Sequence, residues 1–170
     1  MKQDLWFPYL RNTGFRDGNT FFVGGAIYNN LDYTFQTGYE DGSGGTGFSG
    51  EWYSGCVNPI MKNQMGMLLR FMNTLDFINM RPDRTILAGT FGDEQVFPLA
   101  NEGIQYAFYF IEGSRPKAVI HFPAGNYRLV WMNPADLIVV RSEVVIVEDK
   151  PQLVIGPEYK DDIVLKVDRI

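Results

Sequence analysis

One cysteine and one histidine stand in 170 residues. Cys56 alone closes no intrachain disulfide, and with His121 it cannot build a His/Cys zinc cage. Any Ser-His-Asp or Cys-His site would have to be built on His121. No run of 18 apolar residues exists, so no membrane-crossing helix and no membrane partner are expected. The first residues, Met1 to Trp6, lack the apolar stretch of a signal peptide. Positive charge is also short: 15 Lys and Arg stand against 20 Asp and Glu, a formal net charge of -5. The basic residues are scattered, which speaks against a nucleic-acid partner. Gly42 to Gly47 is followed by no Gly-Lys-Ser/Thr, so the phosphate-cradling signature is absent. No metal and no cofactor are called for. Chemistry built on carboxylates alone remains open.

What is present is an ordinary globular balance, 45% hydrophobic and 21% charged, with 15% aromatics, 18 Gly and 9 Pro. Frequent turn residues between short apolar runs fit many strands better than a helical bundle. The chain divides into unlike parts, residues 1–90 and 91–170. The first holds 7 basic and 8 acidic residues up to Gly89, the second 8 and 12. The extra acidity of the second part is spread over the strands and reads as a solvated face.

One helix is expected. Asn58 suits an N-cap and Pro59 the first helical position. Met61, Met65, Leu68, Met72 and Leu75 then share one face, with Ile60, Leu69 and Ile78 widening it. Arg81-Pro82-Asp83 should end the element, because Pro82 restricts the residue before it. The methionine stripe fits core packing better than a binding groove. Upstream, Phe21 to Tyr28 reads as a buried strand. The glycine-rich stretch Tyr39 to Gly47 reads as a loop, either functional or a flexible connector.

Downstream, strands are expected at Ile104–Ile111, Lys117–Phe122, Tyr127–Met132, Leu137–Val147 (broken near Arg141-Ser142), Gln152–Ile155 and Ile163–Val167. Turns at Pro123–Asn126 and Asn133–Asp136 separate them. This spacing predicts an antiparallel sandwich. Trp131 alternates with Tyr127 and Leu129 and reads as core. His121 reads as a half-buried structural histidine, and Cys56 as a small buried residue.

Three stretches resemble the C-terminal part of bacterial (β/α)8-barrel glycoside hydrolases of the apiosidase-like type, whose barrel is followed by a β-sandwich sometimes labelled collagen-binding. The first is Gly25-Ala26-Ile27-Tyr28-Asn29-Asn30-Leu31-Asp32-Tyr33-Thr34-Phe35 with Gly38-Tyr39-Glu40-Asp41-Gly42, similar to a last barrel strand and its loop. The second is the helix ending in Leu75-Asp76-Phe77-Ile78-Asn79-Met80-Arg81-Pro82, similar to the final barrel helix. The third comprises Tyr106-Ala107-Phe108-Tyr109, Phe122-Pro123-Ala124-Gly125-Asn126-Tyr127, Trp131-Met132-Asn133-Pro134 and Asp162-Ile163-Val164-Leu165-Lys166-Val167, similar to the sandwich. A complete barrel needs about 250 residues, so most of one has no counterpart here.

The resemblance implies an α+β, mostly β chain: a barrel-end remnant with one long helix, then an antiparallel β-sandwich. It implies a non-catalytic carbohydrate-binding or accessory portion of a glycoside hydrolase-like protein. Two alternatives stay open. One is a glycoside hydrolase whose active site another chain completes, using Glu40 or Asp41. The other is a protein-interaction sandwich without a sugar role. Glycoside hydrolysis needs two opposed carboxyls, and Asp32, Glu40, Asp41 and Glu51 are the dense group of acids beside the loop. They read either as sugar-subsite groups or as polar loop residues. Tyr39, Trp52 and Tyr53 read either as stacking platforms for sugar rings or as buried aromatics. The substrate-binding set is thus Asp32, Tyr39, Glu40, Asp41, Trp52 and Tyr53. Carbohydrate is the expected partner. A second copy, or a barrel-containing chain, would cover the sheet edges a partial barrel exposes. The resemblance implies an extracellular or periplasmic location.

Overall fold

The computed structural model describes residues 59–92 and 94–170. Helix α1 runs Pro59–Met72, starting at the expected proline. It stops well before Arg81. Thr74 N–H donates to the Phe71 carbonyl at 2.9 Å and the Thr74 hydroxyl donates to the same carbonyl at 2.8 Å. Leu75 N–H bonds to Met72 one residue too early for an α-turn. A side chain that competes for the last carbonyls ends the helix there. A single 3-10 turn, Phe77–Asn79, follows. It is tied to the sheet through the Asp76 N–H, which donates to Gln105 Oε1 at 2.7 Å.

The buried face of α1 and its continuation is Leu68, Phe71, Met72 and Leu75. Leu69 and Ile78, expected to widen the stripe, are 62% and 95% exposed, while Phe71 is fully buried. The correction follows from the early end: Ile78 lies on the 3-10 turn, beyond the helical register. Asn58 and the side chains of Met61 and Met65 lie outside the described residues.

Nine strands follow: β1 Arg81–Pro82, β2 Leu87–Thr90, β3 Gln95–Asn101, β4 Gln105–Ile111, β5 Lys117–His121, β6 Gly125–Met132, β7 Val139–Val147, β8 Pro151–Ile155 and β9 Asp162–Arg169. They form two antiparallel sheets, one ordered β1-β3-β4-β9-β6-β7 and one ordered β2-β5-β8. Among the described residues the chain is therefore mostly β, a sandwich of six and three strands with one α-helix. Two of the strands, β1 and β2, precede residue 91.

The centre of the six-stranded sheet is buried on both faces, which is why β4 and β9 read as nearly continuous apolar runs. Tyr106, Phe108 and Phe110 of β4 point toward the small sheet, with Val96, Tyr127, Leu129, Trp131, Ile163, Leu165 and Val167. Ala107 and Tyr109 point the other way, into a second cluster with Leu99, Val164 and the helix residues Leu68, Phe71, Met72 and Leu75. The period of two thus sends alternate residues into two different cores. The result is three layers: helix, large sheet, small sheet.

Four strands depart from expectation: β1 and β2 stand where none is expected, and β3 and β7 differ as well. Strand β3 was not foreseen, because Pro98 interrupts its apolar pattern. Proline lacks the N–H that an interior strand needs. Here β1 covers only Leu99 and Ala100 of β3, so the edge beside Pro98 tolerates it. Strand β7 is continuous through Arg141-Ser142. Its irregularity lies one residue earlier, where Trp131 faces Arg141 but Met132 faces Val139, leaving Val140 as a bulge. The strand starts at Val139, not Leu137, because Leu137 has a positive φ of 59°. The preceding turn is held by the Asn133 Oδ1 and Asp136 Oδ1 atoms, which accept from the N–H groups of Ala135 and Ile138, each at 2.9 Å.

Asp83 caps a 3-10 turn, Arg84–Ile86, by accepting from the Thr85 N–H at 2.9 Å. The Thr85 hydroxyl, then its N–H and the Arg81 charge, hold the Asp83 carboxyl below its ordinary range against the opposing effect of burial. Since the folded value is depressed, this stabilisation is present above the ordinary carboxylate range and is lost as pH falls through the folded value. Asp83→Ala is expected to cost about 1 kcal/mol at neutral pH. In urea titrations the gap between wild type and variant should narrow as the pH drops to about 2. A gap that is constant with pH would contradict this role.

Candidate functional site

Among the described residues the two sheets do not close on each other along one side. Strand β7 ends the large sheet and β8 ends the small one. Between these edges lies a groove of about 310 Å³. Its floor is Phe122 and Leu129, its apolar wall includes Leu153 and Ile155, and its polar groups are Arg141, Glu143 and Gln152.

Arg141 organises the groove. Its Nη2 donates to Glu143 Oε1 at 2.9 Å and also to the carbonyl of Ile155 on β8. The guanidinium lies 5.9 Å from the centroid of the Trp131 ring. Trp131 is fully buried and packs on Phe110 with ring centroids 5.5 Å apart. A cation over an aromatic face is attracted by the ring quadrupole, more so when partly desolvated. That contact helps offset two buried donors, Trp131 Nε1 and Arg141 Nε, which find no hydrogen-bond acceptor among the described residues. One side chain therefore links the β7 edge, the β8 edge and the core.

The sequence reading missed Arg141 and Glu143 because it placed a strand break there. A signal was available. Two charges at i and i+2 inside a β-branched run fall on one face, and a charge facing inward from a strand marks an edge.

A second polar group is tied into the helix-side core. The Tyr109 hydroxyl donates to Asp162 Oδ2 at 2.6 Å, with both residues buried. Burial first, then the Asp162 carboxylate, pushes the Tyr109 hydroxyl well above its ordinary range, so it stays a proton donor. Tyr159 is raised likewise, by burial and by nearby carboxylates, and its hydroxyl donates to the Glu112 carbonyl. These contacts pin the segment before β9 and read as structural.

His121 ends β5 with its side chain 48% exposed and its Nε2 3.3 Å from Asp149 Oδ1. It is the expected half-buried histidine: it pairs with Pro151 of β8 and stands on the outward face of the small sheet, alternating with buried Ala118 and Ile120. Trp131 is core, as its alternation predicted. The aromatic wealth of the second part goes largely into one interlocked cluster: Tyr106, Phe108, Phe122 and Tyr127 meet at centroid distances of 5.1 to 6.4 Å. Asp32, Tyr39, Glu40, Asp41, Glu51, Trp52, Tyr53 and Cys56 lie outside the described residues. Among the described residues no group of three or more His, Cys, Asp or Glu side chains could hold a metal ion.

No family model and no curated protein matches the sequence. Solved structures do match. A glycoside hydrolase superposes with a TM-score of 0.53 at 18% identity, over 80% of this chain and 30% of its own. A glycoside hydrolase family 5 structure from Bacteroides vulgatus ATCC 8482 matches with a TM-score of 0.53 at 19% identity, over the same shares of the two chains. The fold is one that glycoside hydrolases carry. It resembles a non-barrel, β-sandwich portion of such proteins, and the chain spans 30% of the length of the hydrolases it matches.

Proposed function

We propose that this chain is a non-catalytic, carbohydrate-binding or accessory portion of a glycoside hydrolase-like protein. In this reading residues 1–90 are the end of a glycosidase barrel and residues 91–170 the sandwich behind it. The observation that carries the reading is the seating of α1. Leu68, Phe71, Met72 and Leu75 pack directly against Leu99, Ala107, Tyr109 and Val164 of the large sheet. A helix that belongs to the preceding part of the chain and shares a core with the sandwich suits an accessory module fixed to a barrel rather than tethered by a linker. The likeness to hydrolase structures supports the same architecture.

Glycan contact is assigned to the loop set Asp32, Tyr39, Glu40, Asp41, Trp52 and Tyr53, with the aromatic faces as stacking platforms. The β7–β8 groove is less suited to a sugar ring, because its aromatic, Phe122, is fully buried in the floor. A barrel-containing chain is the partner that would complete the barrel portion.

Native affinity electrophoresis against a panel of plant and bacterial polysaccharides tests the binding role. Retardation by a particular glycan is expected, and Trp52→Ala should relieve it. No retardation of the folded chain by any glycan would overturn the sugar role and favour an interaction module.

A further inference from the structure

Strand β7 is nine residues long, and six of them, Val139, Val140, Val144, Val145, Ile146 and Val147, are β-branched aliphatics. Among the described residues it pairs only with β6. Its outward side chains Val140, Val144 and Ile146 are exposed, Ile146 to 82%. A long, apolar, unpaired edge is a ready template for another strand.

We infer that β7 is a homodimer interface, in which the β7 strands of two copies pair antiparallel across a two-fold axis at Ser142. The strand's own charges select this register. Opposed residues in an antiparallel pair share a face, and a two-fold axis perpendicular to the sheet keeps inward residues opposite inward residues. Centred on Ser142, Arg141 of each copy faces Glu143 of the other, and Val140 faces Val144. Centring on Arg141 or on Glu143 sets like charges face to face. Centring on Val144 sets Glu143 against Val145 and Arg141 against Val147. Only the Ser142 register forms two symmetric ion pairs, and opposite charges directly across a sheet attract while like charges repel.

The local geometry supports the pairing. Arg141 and Glu143 already lie together on the inward face at 2.9 Å, with Arg141 held in place by the Ile155 carbonyl and the Trp131 ring. Both charges are thus positioned at the strand edge before a second copy arrives. The dimer would join two six-stranded sheets into one continuous sheet and set Val140 of each copy beside Val144 of the other. This inference does not depend on the glycan reading.

Sedimentation velocity of the full chain over a roughly hundredfold concentration range tests it. Wild type should shift from monomer to dimer. Arg141→Glu and Glu143→Arg should each weaken the dimer by about tenfold or more, because each change acts twice across the axis. The double variant R141E/E143R should restore association to within about threefold of wild type. Val144→Lys, on the exposed outward face opposite Val140 of the other copy, should weaken the dimer without touching the groove. Three results would overturn the inference: wild type at monomer mass throughout, as expected if the inward charges only guard the edge; association unchanged in the single variants; or a double variant no stronger than either single one.

Discussion

Trp131→Ala is expected to destabilise the fold by about 3–5 kcal/mol, read from the urea midpoint. Trp131 is fully buried at the end of the main core. It faces Leu165 of β9 on one side and Arg141 of β7 on the other. Removing the ring deletes its dispersion contacts and leaves a void that the paired strands cannot close. It also takes away the face beneath the Arg141 guanidinium. The groove-spanning bond from Arg141 to the Ile155 carbonyl should loosen as well. Amide exchange at β8 should therefore rise more than at β3, which is distant in the sheet order. A loss below about 1 kcal/mol would contradict the packing described.

Gly156→Ala should cost about 2–3 kcal/mol, at the upper end for an overpacked site. A methyl group at this position would lie 2.3 Å from Pro116 Cγ and 2.7 Å from Trp131 Cη2. Neither group yields easily. Pro116 is a rigid ring whose carbonyl accepts from the Gly156 N–H at 2.8 Å, and Trp131 is locked in the core. The two substitutions share one space, so their effects should not add. In a Trp131→Ala background the clash with the ring is gone while the one with Pro116 remains, so the cost of the added methyl should fall without vanishing. A double-mutant cycle by urea denaturation reads this coupling directly. Additive costs would show that the ring and the glycine are not in contact.

The strand pattern was largely legible in the sequence, because a two-residue period with turn residues between runs follows directly from backbone geometry. Strands β4 to β9 lie close to where the pattern placed them. What escaped was decided by partners. Strand β3 hid behind Pro98, which is tolerable only because β1 is two residues long. The helix was drawn too long because Leu75 keeps the apolar spacing after the backbone has left the helix. Its burial is real, yet it is reached through a tightened turn fixed by the Thr74 hydroxyl. The Val140 bulge was read as a break at Arg141-Ser142, since two polar residues in an apolar run look like an ending.

The site was less legible than the fold. A sequence shows which residues are acidic or aromatic but not which two edges come together. The groove depends on β7 and β8 ending different sheets, a fact of topology that no local spacing carries. Trp131 was placed correctly because alternation decides burial within a strand. The same alternation sets His121 on the outward face of β5, half-exposed, opposite in phase to buried Ala118 and Ile120.

A glycan-binding module without turnover holds a polysaccharide and leaves it intact, so release of reducing ends is to be measured for each polysaccharide that retards the chain. Retardation with no release above the buffer blank is expected. Release that disappears in Glu40→Gln or Asp41→Asn would contradict it and make the chain a hydrolase in its own right.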